Sequence, residues 1–582
     1  MLQQQSKKTL SFSQMVLLNS VVFGVEICAC AGFTCISPLL LKVGYSEENM
    51  SIILGMGPLL CLIIVPLMGR ASDQCKSRYG RRRPFIFWIS LLILLSLVFI
   101  LSGDNLYLTE QSEVITSSHL GILVLTAGVI LLDFSTQSLL TPCEALLSDA
   151  SEGTDQKERI FTIYSFMVSF GGCVGYLITA LDWSNSSLGH YFGGQEQSIF
   201  AILIVLYLLS SAATLMIAEE TPQLQNSQEQ SLLYSGDVEG VPLVTNNIHE
   251  SGYETSSNES ISDDNTTSAT LLKNQRTTSK TRLINSSPMF MSKVISCILS
   301  LILLTAKLPI IYHICKYSKR LIQSLWTGIY HRLPENIQVL LDIPLVLRQL
   351  AAANFCSWTA VMGFTLFYTD YVGQAVYDGN PNAPENSLSR NNFDEGVRMG
   401  SWGLLLHCMT SAAYSPFIER LVERYGCRLT YLCGMASFSL AMFIMVFCHN
   451  IIIVNAVAAV TGFGFATLTT IPFILVSDYH ADKEVFFFDV ERPTSSGSPS
   501  HSHQIRGIAT DMAILDSTYF MSQVILSGLM GYVVHLTGTV LSYILTAGVM
   551  GLLSCLFSTK IIINKQEILK YHRHPRTRTM IV

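Results

Sequence analysis

Twelve times along this chain of 582 residues, a run of about 20 apolar residues is closed off by a polar or charged gap. A backbone in lipid must satisfy its own hydrogen bonds, so each run reads as an α-helix that crosses a bilayer. The runs fall near residues 15–40, 50–69, 84–102, 120–141, 159–181 and 198–218, then, after a long polar stretch, near 350–373, 396–417, 429–448, 451–476, 508–534 and 538–560. Charged residues are 13% of the chain, about half the share of a soluble domain. The reading is an all-α polytopic membrane protein with twelve transmembrane helices. The polar start with Lys7 and Lys8 has the look of a signal peptide, but the apolar run behind it is too long and contains Glu26. It is read as the first span.

Basic residues set the orientation. With the N-terminus inside, only Lys42, Arg390 and Arg398 fall on the outer side, and the remaining 33 of the 36 Lys and Arg residues are cytosolic. The organisation expected is a cytosolic N-terminus (1–14), a six-helix bundle (15–219), a cytosolic central loop (220–349), a second six-helix bundle (350–560) and a cytosolic tail (561–582). Residues 220–287 are polar and aperiodic, which predicts disorder. Residues 294–306 are apolar but cut short by Lys307 and Pro309, which predicts a helix lying on the inner membrane surface. Residues 489–506, with a Ser-His cluster, read as a flexible polar loop rather than a metal site. Asn185 opens a sequon in an expected outer loop and is a glycosylation candidate, whereas the sequons at Asn258, Asn265 and Asn285 lie in the central loop.

Several classes are excluded by composition. A net charge of −6 gives no basic surface for nucleic acid. Most of the 15 cysteines sit inside apolar runs, as packing residues rather than a disulfide or metal framework. No nucleophile elbow, phosphate-cradling loop or metal spacing suggests an enzyme. Gly171, Gly172 and Gly175 suit helix packing.

The chain repeats itself. Arg78-Tyr79-Gly80 follows the second span and Arg424-Tyr425-Gly426 follows the eighth. The fourth span ends in Leu147-Ser148-Asp149 and the tenth in Val476-Ser477-Asp478, each behind a proline (Pro142, Pro472). Six spans plus six, in matching order, describe a parallel repeat whose two bundles rock about a central site.

The stretch GRASDQCKSRYGRRRPFI (69–86) resembles the cytosolic loop of the major facilitator superfamily, and more narrowly that of the plant sucrose–proton symporters and their animal relatives, solute carrier family 45. LLDFSTQSLLTPCEALLSD (131–149), FTLFYTDYVGQAVYDG (364–379), FDEGVRMGSWGLLL (393–406) and MAILDSTYFMSQV (512–524) extend the likeness over nearly every span. The resemblance implies two six-helix bundles of major facilitator type. It also implies proton-coupled uptake of sucrose or hexoses by alternating access, with protons as coupling ion and no other cofactor. Oligomeric state stays open.

A charge at mid-membrane costs about 2.5–3.5 kcal/mol, so such residues are functional candidates. Glu26 lies in the middle of span 1 among small residues, and Asp516 lies inside span 11; with Asp133 of span 4 they are the proton-coupling candidates. Gln137 is one turn beyond Asp133, and Glu144 eleven residues beyond it, nearly on the same helix face. Pro142 is expected to bend that helix. Gln137 and Glu144 are substrate-pathway candidates, Glu144 being open to a second reading as an interfacial charge. The resemblance supplies an aspartate matching Asp133 but an arginine where this chain has Glu144, which puts the plant substrate site in doubt. Asp511 reads as a solvated helix-end acid. Asp370 and Arg398, at outer ends of spans 7 and 8, are further pathway candidates, forming either an outer gate or an ion pair with each other. Asp73, Arg78, Gly80, Arg81 and Arg82 form a candidate gating loop, with Gln74 standing where the plant pattern has arginine. Phe134, Trp358, Tyr368 and Trp402 offer aromatic faces for a sugar. Two other readings remain: a carrier of a cationic or amine solute, and a non-transporting sensor that signals through the central loop.

Overall fold

The computed structural model describes residues 9–45, 47–110, 118–152, 154–181, 183, 191, 195–217, 343–381, 383, 387–448, 450–487, 507–537, 539–564 and 566–568. The chain divides into two units, Met1–Gln223 with Pro344–Val582, and Leu224–Ile343. All described helices belong to the first unit. The predicted disorder of 220–287, the surface helix at 294–306, the loop 489–506 and Asn185 lie outside the described residues.

Of fifteen described α-helices, fourteen fall on the twelve expected spans and one, the four-residue α13, lies between two of them. The first half holds α1 (Phe12–Leu18), α2 (Ser20–Lys42), α3 (Glu47–Gln74), α4 (Arg83–Glu110), α5 (Ser118–Ser151), α6 (Lys157–Ala180) and α7 (Gln195–Ile217). The second holds α8 (Leu345–Tyr371), α9 (Leu388–Tyr425), α10 (Cys427–Phe447), α11 (Ile451–Leu468), α12 (Ile471–Ala481), α13 (Lys483–Phe486), α14 (Ile508–Thr537) and α15 (Leu541–Ser558). α8 runs on into a π-helical turn, Val372–Val376. Among the described residues, nine helices are long and apolar enough to cross a membrane, and α1 with α2, bent by 40°, makes a tenth. The other two expected spans are α9 and α14, continuous helices of 38 and 30 residues.

Local chemistry sets the helix ends. Ser11 starts α1 with a capping box, its side chain accepting from the Gln14 amide while Gln14 accepts from Ser11. Ser387 caps α9 and Asn450 caps α11 in the same way, through one side-chain acceptor each. The counterpart prolines act differently. Pro142 sits within an unbroken α5, whereas its counterpart Pro472 opens α12 after a break at Thr469–Thr470.

The repeat seen in sequence is also a repeat in conformation. Gly80 and Gly426 both hold positive φ, 107° and 81°. Arg78 stacks on Tyr79 and Arg424 on Tyr425, at 4.8 and 5.4 Å from the ring centres.

Two seams join the halves. α3 packs on α14, where Gly69 brings its Cα so near Ala509 that a Cβ would lie 2.6 Å from the Ala509 carbonyl oxygen. α6 packs on α9 through paired hydroxyls, Ser165 with Ser415 (3.0 Å) and Ser169 with Ser411 (2.7 Å). Within the first half, Gly171 and Gly175 let α6 lie directly against α2. Further bonds between halves cluster at the end expected to be cytosolic: Ser148 donates to Ser477 at 2.8 Å, and Lys157 pairs with Asp478.

Gly426 has φ 81° and ψ 160°, a region essentially confined to glycine. Gly426→Ala is expected to destabilise the protein by about 1–3 kcal/mol. Thermal unfolding of the detergent-solubilised protein checks this; an unchanged midpoint would mean that the turn relaxes without cost.

Candidate transport pathway

At the expected cytosolic end, the loop after α3 is organised around Arg82, which is fully buried. Its guanidinium donates in three directions, to Asp73 Oδ1 (2.8 Å), Ser72 Oγ (2.9 Å) and Asp149 Oδ2 (2.9 Å). Arg81 reaches the other oxygen of Asp149 at 3.0 Å. Asp73 also accepts from the second half. The backbone amides of Ala509 and Thr510 donate to it at 3.2 and 2.8 Å, and the Thr510 hydroxyl at 2.6 Å. One carboxylate thereby pairs with a cation of its own half and caps a helix of the other. Gly507 makes room, since a Cβ there would overlap the Asp73 carboxyl. Of the predicted loop residues, Asp73, Arg81 and Arg82 are in this network and Gly80 makes the turn. Arg78 is not in it; its guanidinium donates to the Tyr79 hydroxyl at 2.7 Å on the exposed surface.

The second repeat is wired differently. Arg428 pairs with Glu567 at 2.7 Å, beyond the last helix. Partial burial pushes the Glu567 carboxyl up, but hydrogen bonds from Arg428 and the Ile563 amide outweigh it and hold the group below its ordinary value.

Deeper in, the predicted acids separate into two groups. Gln137 Nε2 donates to Asp133 Oδ1 at 2.5 Å, as one-turn spacing on α5 predicts. Glu26 is half-buried on α2, and Cys30 lies one turn on with its Sγ 3.5 Å from Oε1. Tyr519 lies on α14 of the other half. Tyr519 packs edge-on to Trp358 of α8 at 4.7 Å and receives a hydrogen bond from Gln523 at 3.1 Å. Phe134 packs in the same cluster as Tyr519. Among the described residues no protein donor reaches Asp133 Oδ2, Gln137 Oε1 or Gln523 Oε1, all buried.

Nearer the expected cytosolic end lies the second group. Glu144 of α5 is 1% exposed and Asp516 of α14 is 8% exposed, and they are neighbours, since Asp516 accepts from Thr141, one turn before Glu144 on α5. Tyr164 donates to Glu144 Oε1 at 2.6 Å and Thr141 to Asp516 Oδ2 at 2.5 Å. Glu144 is therefore an interior residue, not an interfacial charge.

Other expectations are corrected. Asp511 is fully buried and bonded to the His480 ring at 2.7 Å, so it is not a solvated acid. Arg398 is 72% exposed and pairs with Glu395 on its own helix at 3.5 Å, while Asp370 accepts from Gln374 at 2.7 Å. They form no ion pair with each other in this arrangement. Trp402 is 53% exposed, and the Tyr368 hydroxyl is taken up by Asn455 at 2.7 Å. The sequence reading missed Tyr519, Gln523 and Tyr164. The first two follow Asp516 at i+3 and i+7, the same face argument that joined Asp133 to Gln137.

A family model described as Major Facilitator Superfamily matches residues 22–380. Human solute carrier family 45 member 3 is 34% identical, over 96% of this chain and 97% of its own length. This chain belongs to solute carrier family 45, within the major facilitator superfamily. A human relative named proton-associated sugar transporter A is 24% identical over 95% of this chain and 86% of its own. The solved structure of the proton:xylose symporter XylE, bound to 6-bromo-6-deoxy-D-glucose, shares the fold at TM-score 0.50 and 13% identity, over 94% of each chain. The protein is a multi-pass membrane transporter.

Removing one partner of a buried ion pair costs about 3–5 kcal/mol. Asp73→Ala, which strips an acceptor from Arg82 and from the α14 amides, is expected to lower thermal stability by that order. Asp73→Asn keeps an acceptor oxygen and should cost clearly less. Equal melting points for the two variants would show that the capping bonds contribute nothing.

Proposed function

We propose that the protein is a proton-coupled sugar symporter that works by alternating access, taking sucrose or a hexose such as glucose or fructose. The observation that carries this reading is the set of buried acceptor oxygens on α5 and α14: Asp133 Oδ2 and Gln137 Oε1 from one half and Gln523 Oε1 from the other, none met by a protein donor among the described residues. A buried acceptor without a donor costs about 1–3 kcal/mol, and sugar hydroxyls are donors that would recover it. Trp358 and Tyr519 supply the flat apolar faces that sugar rings stack on. Glu26 and Asp133 would carry the coupling proton. The names of one relative and of the xylose symporter favour sugar and proton as substrates. No cofactor beyond protons enters the mechanism. The excess of basic residues at one end supports cytosolic termini, and the plasma membrane is the site we favour.

The bond networks described above close the end we assign to the cytosol. Rocking would part α3 from α14 and expose the bound solute there. Each pH unit of gradient contributes about 1.4 kcal/mol and each 100 mV of potential about 2.3 kcal/mol per charge.

A second reading has its own support. The ionisable groups set between the halves near Tyr519 and Asp516 are acidic, and Glu144 stands where the resembling plant carriers have arginine. That inventory also suits a cationic amine.

Labelled-sucrose uptake in yeast lacking its own carriers tests both readings. Uptake should be stimulated by outside acid and abolished by a protonophore. Asp133→Asn and Glu26→Gln are each expected to lower acid-driven accumulation at least about tenfold, equivalent to about 1.4 kcal/mol, with surface expression unchanged. Normal accumulation in both variants removes these residues from coupling. Absent sugar uptake with saturable amine uptake decides for the second reading.

A further inference from the structure

Thr141 of α5 bonds Asp516 of α14 across the halves at 2.5 Å, which sets Glu144, one turn on, beside Asp516, and among the described residues neither acid has an ion pair with a cation. Glu144 belongs to α5 and Asp516 to α14, each seven or eight residues from the helix end that faces the cytosolic networks. At 1.5 Å per residue both lie about 10–12 Å in from that end. Among the described residues, the titratable groups that bear on the pair are Tyr164 of α6, Cys143 of α5 and Cys61 of α3, none of them cationic. Tyr164 and Thr141 each donate one hydrogen bond, to Glu144 Oε1 and Asp516 Oδ2. Glu144 Oε2 is buried with no donor among the described residues. Two carboxylates side by side in such a setting repel, whereas one proton between them turns repulsion into a charge-assisted hydrogen bond and supplies the missing donor.

We propose that Glu144 and Asp516 form a shared proton site that latches the two halves together, so that opening of this end and release of the proton are one event. The inference rests on the proton-coupled reading and names where the proton acts. With the proton in place the pair is a monoanion that bridges α5 and α14. When the bundles part, the O–H···O bond breaks, the proton leaves to water, and each carboxylate is solvated separately. No bond other than O–H is made or broken. The role of Glu144 thereby differs from that of a substrate ligand, and the latch adds a proton site to those at Glu26 and Asp133.

The test needs no sugar, so its failure and a failure of the sugar reading are distinct. Full-length protein in lipid nanodiscs is followed by hydrogen exchange of segment 507–513, which holds the two amides that donate to Asp73. Rates are corrected for the intrinsic pH dependence of exchange. Between about pH 5.5 and 7.5 the wild type should show opening that rises about tenfold as the proton is lost. Glu144→Gln, whose amide donates permanently to Asp516, should stay protected at both pH values, and Asp516→Asn should do the same. An unaltered pH dependence in these variants, or a flat wild type, overturns the proposal. An infrared difference spectrum of the wild type between the two pH values gives a measure independent of any variant. A protonated-carboxyl carbonyl band must disappear at the higher pH, and its absence refutes the shared proton. If exchange behaves as described while sucrose uptake is nil, the latch stands and the sugar reading falls.

Discussion

The carboxylate of Asp73 is the point on which the closed end of this molecule turns. It holds a fully buried arginine of its own half and the first free amides of α14 in the other. These two duties reinforce each other. The helix N-terminus favours an anion, and Arg82 keeps Asp73 ionised and aimed. Arg82 is in turn fixed by Asp149, at the far end of α5, so three helices and a turn share one charge network. Opening this end asks little of that network. Arg82 keeps Asp149 and Ser72, both in its own half, and only the bonds from α14 to Asp73 must be exchanged for water. A junction in which the strong pair is internal and the weaker capping bonds cross the boundary suits a surface that must part and re-form.

The two repeats have divided the same motif between two uses. In the first, the Arg-Tyr-Gly turn leads to an arginine held inside the half. In the second, Arg428 turns to Glu567 outside the bundle, and Asp478, the counterpart of Asp149, is left to pair with Lys157 across the boundary. The glycine turn and the stacked arginine survive in both because they are backbone requirements, whereas the partners of the charges have diverged. The prolines follow the same pattern: α5 runs through Pro142, while its counterpart breaks before Pro472 into α11 and α12. An unbroken α5 carries Asp133, Gln137 and Glu144 on one continuous face; the broken counterpart carries no acid at those depths.

Span positions and the twofold repeat were legible in the sequence because lipid imposes them: helix length follows hydrocarbon thickness, and the basic residues gather at one end. The face shared by Asp133 and Gln137 was legible for the same reason, being a matter of residues per turn. Contacts between helices were not. Nothing in the spacing of α5 says that Glu144 lies beside Asp516, 372 positions on. Nor does anything in the loop say which arginine is buried; Arg78 and Arg82 look alike until α14 is in place. Asp370 and Arg398 lie at neighbouring span ends, but proximity at a helix end does not fix rotamers, and each found a partner on its own helix instead.

The acids gathered between the halves raise a constraint that the fold alone does not. An acid between two halves can be neutralised by a built-in cation, by a proton, or by a cationic solute. A built-in arginine would stabilise one arrangement and cost several kcal/mol to separate. It would hold the halves whether or not anything was transported. Here position 144 carries an acid, and among the described residues the groups bearing on it and on Asp516 include no cation. Neutralisation must then come from a species that arrives and leaves. That makes coupling a consequence of the residue inventory: with the site empty and deprotonated, closure over two facing carboxylates is penalised by their repulsion, and with a proton aboard it is favoured. Glu26 and Asp133 differ from this pair. Glu26 is half-buried and Asp133 already holds Gln137, so they can tolerate the closed arrangement while offering acceptor oxygens to a solute. The division places solute recognition about two turns of α5 above the proton latch. Motion of that one helix relative to α14 would register both.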